Sequence, residues 1–230
     1  MTDQRVVLVT GGNRGIGLEV CRQLAAEGCS VVLGSRDEAR GEVAAAELEG
    51  DVTVLALDVA DDESVGAAAA AVDERFGRLD ALVNNAAILY DTENRGVDVD
   101  LAEVRRGLET NLFGAWRMVQ AFLPLLRRSE HGRIVNVSSG AASLESMEGG
   151  TPTYAVSKTA LNALTRILAD ELSGDRILVN SVCPGWTETD MGGPGGRAIA
   201  EGAASVVWGV TLPDDGPTGG FYRDGESRPW

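Results

Sequence analysis

The sequence predicts an α/β domain built on a doubly wound parallel sheet, and three observations carry that prediction. Short, β-branched apolar runs recur along the chain without polar alternation, the mark of strands buried on both faces. Helix-length segments separate successive runs, so strand and helix alternate almost from end to end. A glycine-rich turn follows the first run directly and opens the first helix. At 230 residues, with no repeat and no linker, the chain suits one domain with a sizeable core, spanning 1–230.

The expected strands cover residues 6–9, 31–33, 52–57, 81–83, 134–137 and 177–182. The expected helices cover 16–27, 38–48, 62–76, 101–126 and 154–172. The alanine run at 67–71 looks like low complexity but lies inside a helical stretch, where alanine is the best former. Residues 187–196, TETDMGGPGG, are glycine-rich and expected to be mobile. One helix-like segment, 197–210, and a short terminal run follow.

Composition narrows the function. A net charge of −15 argues against nucleic acid or an anionic membrane as partner, since both need a basic face, and reads as a solvated acidic surface. The first apolar run is too short for a signal or membrane segment, which leads us to expect a cytoplasmic protein. Three cysteines without C-x-x-C spacing and one histidine, His131, give too little material for a Cys/His metal site or for Ser-His or Cys-His nucleophilic catalysis. His131 reads as an exposed turn residue and the cysteines as buried packing residues.

The turn after the first strand is Thr10-Gly11-Gly12-Asn13-Arg14-Gly15-Ile16-Gly17. Glycines there allow close approach of a pyrophosphate to the backbone, and the helix N-terminus favours its charge, so the unit predicts dinucleotide binding. An acidic residue ending the second strand would accept from the ribose 2′-hydroxyl of NAD. This chain has Ser35 and Arg36 there, and Arg14 adds a second cation, so NADP(H) is expected over NAD(H). Asp37 is read as the N-cap of the helix from Glu38. Asp58 either accepts from the adenine amino group or starts a turn.

The only lysine in the chain, Lys158, lies four residues after Tyr154; the other 19 basic residues are arginine. One helical turn joins the two side chains. Together with the glycine loop, Asn84-Asn85-Ala86-Ala87, Asn111, Ser138-Ser139 and Pro184-Gly185, this spacing resembles the short-chain dehydrogenase/reductase family along nearly the whole chain. Residues 182–186 and 189–193 and the tail ending Arg228-Pro229-Trp230 look most like its carbonyl reductase branch.

The resemblance implies a Rossmann-type three-layer α/β/α sandwich and a small-molecule carbonyl substrate, with NADPH-dependent reduction to an alcohol. It implies a catalytic set of Asn111, Ser139, Tyr154 and Lys158. Tyr154 would protonate the carbonyl oxygen, with Lys158 lowering its pKa and bonding the nicotinamide ribose. Ser139, preferred to Ser138, would stabilise charge on the substrate oxygen. Asn111 would hold a water connecting Lys158 to solvent. Implied cofactor contacts are Gly11, Asn13, Arg14, Gly15, Ile16 and Gly17 in the loop, then Arg36, Asp58 and Val59. Asn85, Ala86, Tyr154, Lys158, Pro184, Gly185, Thr187 and Thr189 complete them, while Asn84 could be structural support instead.

Two departures stand out. The gap of 15 from Ser139 to Tyr154 exceeds the 13 common in the family, which reshapes the substrate rim, and it lacks the long insertion of the monomeric animal carbonyl reductases. Thr187 replaces a frequent apolar residue. Leu144, Met147, Trp186 and Met191 are candidate pocket walls. The 101–126 and 154–172 helices are the family's usual dimer faces, so a homo-oligomer, dimer or tetramer, is expected by analogy. Alternatives are a dehydrogenase or ketoreductase of one biosynthetic alcohol, and a non-catalytic NADP-binding redox sensor, which would not need an intact acid.

Overall fold

The computed structural model describes residues 4–230. Eight strands form one sheet: β1 (Val6–Thr10), β2 (Ser30–Ser35), β3 (Asp51–Ala56), β4 (Ala81–Asn84), β5 (Arg133–Val137), β6 (Leu178–Val182), β7 (Phe221–Arg223) and β8 (Glu226–Ser227). Their spatial order is β3-β2-β1-β4-β5-β6-β7-β8, and every pairing is parallel except β7 with β8. The order in which strands are added therefore reverses between β1 and β4, and a crevice opens there beyond the strand C-termini.

Period-two alternation along buried strands sorts their side chains into two cores. Val6, Leu8 and Ile134 face α3 (Asp62–Phe76), α5 (Ala115–Leu126) and α6 (Pro152–Glu171), meeting Val65, Phe122 and Leu164. Val7, Val9 and Val135 face α1 (Gly15–Ala26) and α7 (Ile199–Thr211), meeting Leu24 and Val206. Both layers are apolar, which is why the strands read as unbroken hydrophobic runs. α2 (Glu38–Ala45) packs beside β2 and β3, and Asp37 caps it as expected by accepting from the Arg40 N–H at 3.2 Å.

Four elements differ from the sequence reading. The helix expected over 101–126 is α4 (Leu101–Leu108) and α5 joined by a π-helical turn, Glu109–Gly114. Its wider hydrogen-bond ring carries Asn111. The terminal run forms β7 and β8 and extends the sheet. Residues 187–196 are a hydrogen-bonded double turn, with bridges Thr187–Arg197 and Thr189–Gly193 and the Trp186 indole donating to the Gly192 carbonyl at 2.9 Å. Side-chain and backbone partners, invisible in a glycine-rich string, give it this shape. His131 is not a bare turn residue: its Nδ1 lies 2.9 Å from the Asp214 carboxylate, which also accepts from the buried Arg133 at 2.7 Å. All three cysteines are buried and free, as expected.

Candidate active site

Beyond the β1–β4 crevice lies a cavity of about 580 Å³. The glycine loop forms its floor. Gly11 and Gly15 adopt left-handed backbone, at φ 64° and 54°, and a Cβ on Gly17 would run into the Gly11 carbonyl and the Asn85 amide. Asn85, entering from β4, donates to the Thr10 carbonyl at 2.8 Å and the Gly11 carbonyl at 3.2 Å, stapling the loop across the switch point. The result is a cradle open to something flat-lying with close backbone contact, the shape a pyrophosphate needs at a helix N-terminus. These residues fit a dinucleotide.

The cavity carries three cations. Arg14, Arg36 and Arg40 all line it and all are exposed. Arg14 is 3.7 Å from Asp190, and Arg40 3.3 Å from Asp37. Among the described residues Arg36 has no carboxylate within ion-pair distance. Arg40 reads from the sequence as an ordinary exposed helix residue; the first turn of α2 brings it to the same cavity as Arg36. Asp58 lines the cavity, yet one of its oxygens accepts from the Ala60 N–H at 3.0 Å, so the turn role is real. Val59, Asn13, Ile16, Ala86, Pro184 and Thr189 also line the cavity.

Gly185 and Thr187 do not line it. Thr187 is buried, and its hydroxyl lies 3.3 Å from the Pro184 carbonyl and 3.2 Å from that of Gly185, so it is engaged in shaping the turn rather than in facing the cavity. Of the proposed walls, Met191 reaches the cavity, whereas Leu144, Met147 and Trp186 lie outside its lining and are exposed.

Tyr154 and Lys158 share the first turns of α6 and open into the same cavity. The Lys158 ammonium donates to the Val137 carbonyl at 2.7 Å and lies 5.8 Å from the centre of the Tyr154 ring. Burial pushes the lysine down to about 8. Burial likewise pushes the Tyr154 phenol up to about 12, with the Ser139 side chain, in hydrogen-bonding reach, pulling the other way. Desolvation of the phenolate thus opposes the lowering expected from Lys158. The two serines are held differently. Ser138 lines the cavity but donates to the buried Asn162 side chain at 2.7 Å, whereas Ser139 lies outside the lining, accepts from the Ala141 N–H at 3.2 Å and lies close enough to Tyr154 to favour its phenolate.

Behind these groups runs a buried polar row. Asn84, Asn136 and Ser181 are register neighbours on β4, β5 and β6. Asn84 donates to Asn136 at 2.9 Å, and Asn136 to Thr165 at 2.8 Å. Asn84 is thus structural support and does not line the cavity. Asn111 accepts from the Ile88 N–H at 2.8 Å and donates to the Ile88 carbonyl at 3.1 Å and to Ser157 at 3.0 Å. Both amide hydrogens are committed to protein, so its visible work is to tie the β4 exit to α6.

Geometry and ancestry agree. A family model described as short chain dehydrogenase matches residues 5–198. The chain belongs to the short-chain dehydrogenase family. It is 34% identical to the pig (Sus scrofa) carbonyl reductase 1, over 100% of this chain and 95% of that one. It is 36% identical to a (+)-neomenthol dehydrogenase of Arabidopsis thaliana, over 95% of each. Among solved structures, NADPH-bound carbonyl reductase from chicken fatty liver superposes with a TM-score of 0.90 at 30% identity, covering 99% of this chain and 94% of that one. As a family member the chain is an oxidoreductase acting on CH–OH and C=O groups.

Proposed function

We propose that this short-chain dehydrogenase reduces an aldehyde or ketone to an alcohol with NADPH. The observation that carries the reading is that the Tyr154 phenol and the Lys158 ammonium open into the same cavity that the glycine cradle and the three arginines line. The glycine loop and Asn85 would hold the pyrophosphate; Arg36, helped by Arg14 and Arg40, would hold a 2′-phosphate. Bound there, NADPH supplies a hydride for the carbonyl carbon.

Everything else is the work of side chains. Tyr154, protonated at neutral pH, is placed to donate to the carbonyl oxygen, and because burial pushes its phenol up, the release of that proton depends on its neighbours. Ser139 adds a second hydrogen bond to that oxygen as its charge grows. Lys158, fixed by the Val137 carbonyl beside the ring, favours the phenolate left behind and so eases the transfer. Asn111 holds the Ile88 backbone and Ser157 in place around them. Alcohol oxidation is the same site run in reverse, and the similarity to a (+)-neomenthol dehydrogenase supports reversibility.

The oligomer expected by analogy is supported by Phe113, Trp116, Val156 and Ile167, large apolar side chains left exposed on the π turn, α5 and α6. No helix among the described residues is long and apolar enough to cross a membrane.

The test is loss of reduced-nicotinamide absorbance, NADPH and NADH in parallel, against a panel of aldehydes and ketones. Oxidation of NADPH well ahead of NADH supports the proposal. Oxidation of neither, with NADPH still binding, returns the sensor reading.

A further inference from the structure

Tyr154 is the third residue of α6, and the first amides of a helix need acceptors from outside it. α6 supplies none of its own: Thr151 at the cap position sits at φ 44°, makes no side-chain cap bond and is followed by Pro152. In α2, α3 and α4 the adjoining aspartate does this job, namely Asp37, Asp61 and Asp100. For α6 the acceptor arrives from the loop after β4. Asp91 accepts from the Thr153 N–H at 3.0 Å with one oxygen and from the Tyr154 N–H at 3.1 Å with the other.

The same loop touches the ring of Tyr154. Tyr90 meets it edge-on, with centroids 5.1 Å apart and planes at 85°. Leu89 is held at φ 59°, a left-handed conformation that a leucine keeps only when its surroundings impose it. That turn is what presents Tyr90 and Asp91 in succession to the helix. One residue earlier, Asn111 grips both the N–H and the carbonyl of Ile88. Residues 88–91 are therefore anchored to the π turn and to the start of α6 at three points. The charge suits its place: a carboxylate is favoured at a helix N-terminus. Although desolvation opposes ionisation, the Thr153 and Tyr154 amides hold the Asp91 carboxyl below the usual carboxylate range.

We propose that Asp91 is a positioning residue for the reaction: it fixes the Thr153 and Tyr154 backbone through one hydrogen bond to each and, with Tyr90 against the ring, holds the phenol in line with Ser139 and Lys158. The proposal rests on Tyr154 being the proton donor. Asn at position 91 keeps one acceptor but turns an amide donor toward an N–H, so it restores the arrangement only in part.

The experiment compares Asp91→Ala, Asp91→Asn, Tyr154→Phe and Asp214→Ala in the full chain. Asp214 caps the opposite end of the sheet, accepting from Arg133 and His131, and serves as a stability control that leaves the cavity alone. Turnover, KM, NADPH binding by fluorescence and Tm are read for each. Asp91→Ala should lower kcat by about 10- to 100-fold, the scale of small misplacements in a catalytic constellation. Its NADPH affinity should stay within about twofold, because no cradle contact is lost. Asp91→Asn should fall between it and the parent, and Asp214→Ala should lower Tm while keeping kcat.

Parental kcat in Asp91→Ala, with Tyr154→Phe inactive, overturns the proposal and leaves the mechanism standing. Equal loss of kcat in Asp214→Ala overturns it as well, since general destabilisation would then suffice. Active Tyr154→Phe removes the proton-donor reading and this proposal together. If Asp91→Ala does not fold, the near-isosteric Asp91→Asn carries the test: a reduced kcat at unchanged NADPH affinity supports the role, and parental kcat overturns it.

Discussion

Replacing Arg36 with alanine should weaken NADPH binding about tenfold and leave NADH binding unchanged. The size follows from how the three cations are engaged. Arg14 faces Asp190 and Arg40 faces Asp37, so each must exchange a carboxylate partner before it gains a phosphate. Arg36 has no such partner among the described residues, so its gain from a 2′-phosphate is not offset by a lost ion pair. A hydrogen bond to a charged group contributes about 1.5–3 kcal/mol. Arg36 is exposed, and screening by solvent and salt pulls the figure to the lower end. About 1.5 kcal/mol corresponds to slightly more than a factor of ten in Kd. The assay is titration of nicotinamide fluorescence with both nucleotides at low and moderate salt. The tenfold loss should shrink as salt rises, and the Arg36→Ala chain should bind NADPH and NADH more nearly alike. An equal loss for both nucleotides, or no loss for NADPH, refutes the assignment of the 2′-phosphate to this corner.

Other outcomes follow from the same geometry. Gly17→Ala should abolish measurable NADPH binding while the chain stays folded, because the new Cβ meets the Gly11 carbonyl and the Asn85 amide that shape the cradle; near-UV circular dichroism and nucleotide fluorescence report the two halves. Reduction should fall as pH rises through about 8, where Lys158 loses its charge, while Tyr154, near 12, stays protonated throughout; a kcat/KM profile flat from pH 7 to 9 contradicts this. The same lysine gives a stability signature. Its folded pKa lies below the ordinary lysine value of 10.5, so between about 8 and 10.5 the unfolded chain binds more protons and this group's contribution to stability rises with pH. Lys158→Met removes the buried charge, so its Tm advantage over the parent should narrow across that window, and a constant difference would exclude the shift.

How much of this was legible in the sequence depends on the range of the interaction. Strands β1 to β6, the glycine loop and the Tyr154–Lys158 pair are local patterns, and local patterns survive in a string of letters. The π turn at Glu109–Gly114 did not announce itself, because its residues continue the helical apolar spacing on either side and the wider ring is set by packing between α4, α5 and α6. Arg40 needed the first turn of α2 to reach the same cavity as Arg36. Asp91 lies far from Tyr154 in the chain, and no short-range signal marks a cap that comes from another loop. The Tyr154–Lys158 spacing foretold proximity but not burial, and desolvation pushes the tyrosine up against the pull of its neighbours. Thr187 matched a motif position while its hydroxyl turned to its own backbone.

The measurement that bears most directly on the account is single-turnover oxidation of NADPH by Tyr154→Phe beside the parent, on one carbonyl substrate the parent accepts. The account predicts NADPH affinity within about twofold of the parent and a chemical step slowed by at least about 100-fold, the scale a positioned general acid supplies. Turnover at the parental rate with the phenol gone would contradict it.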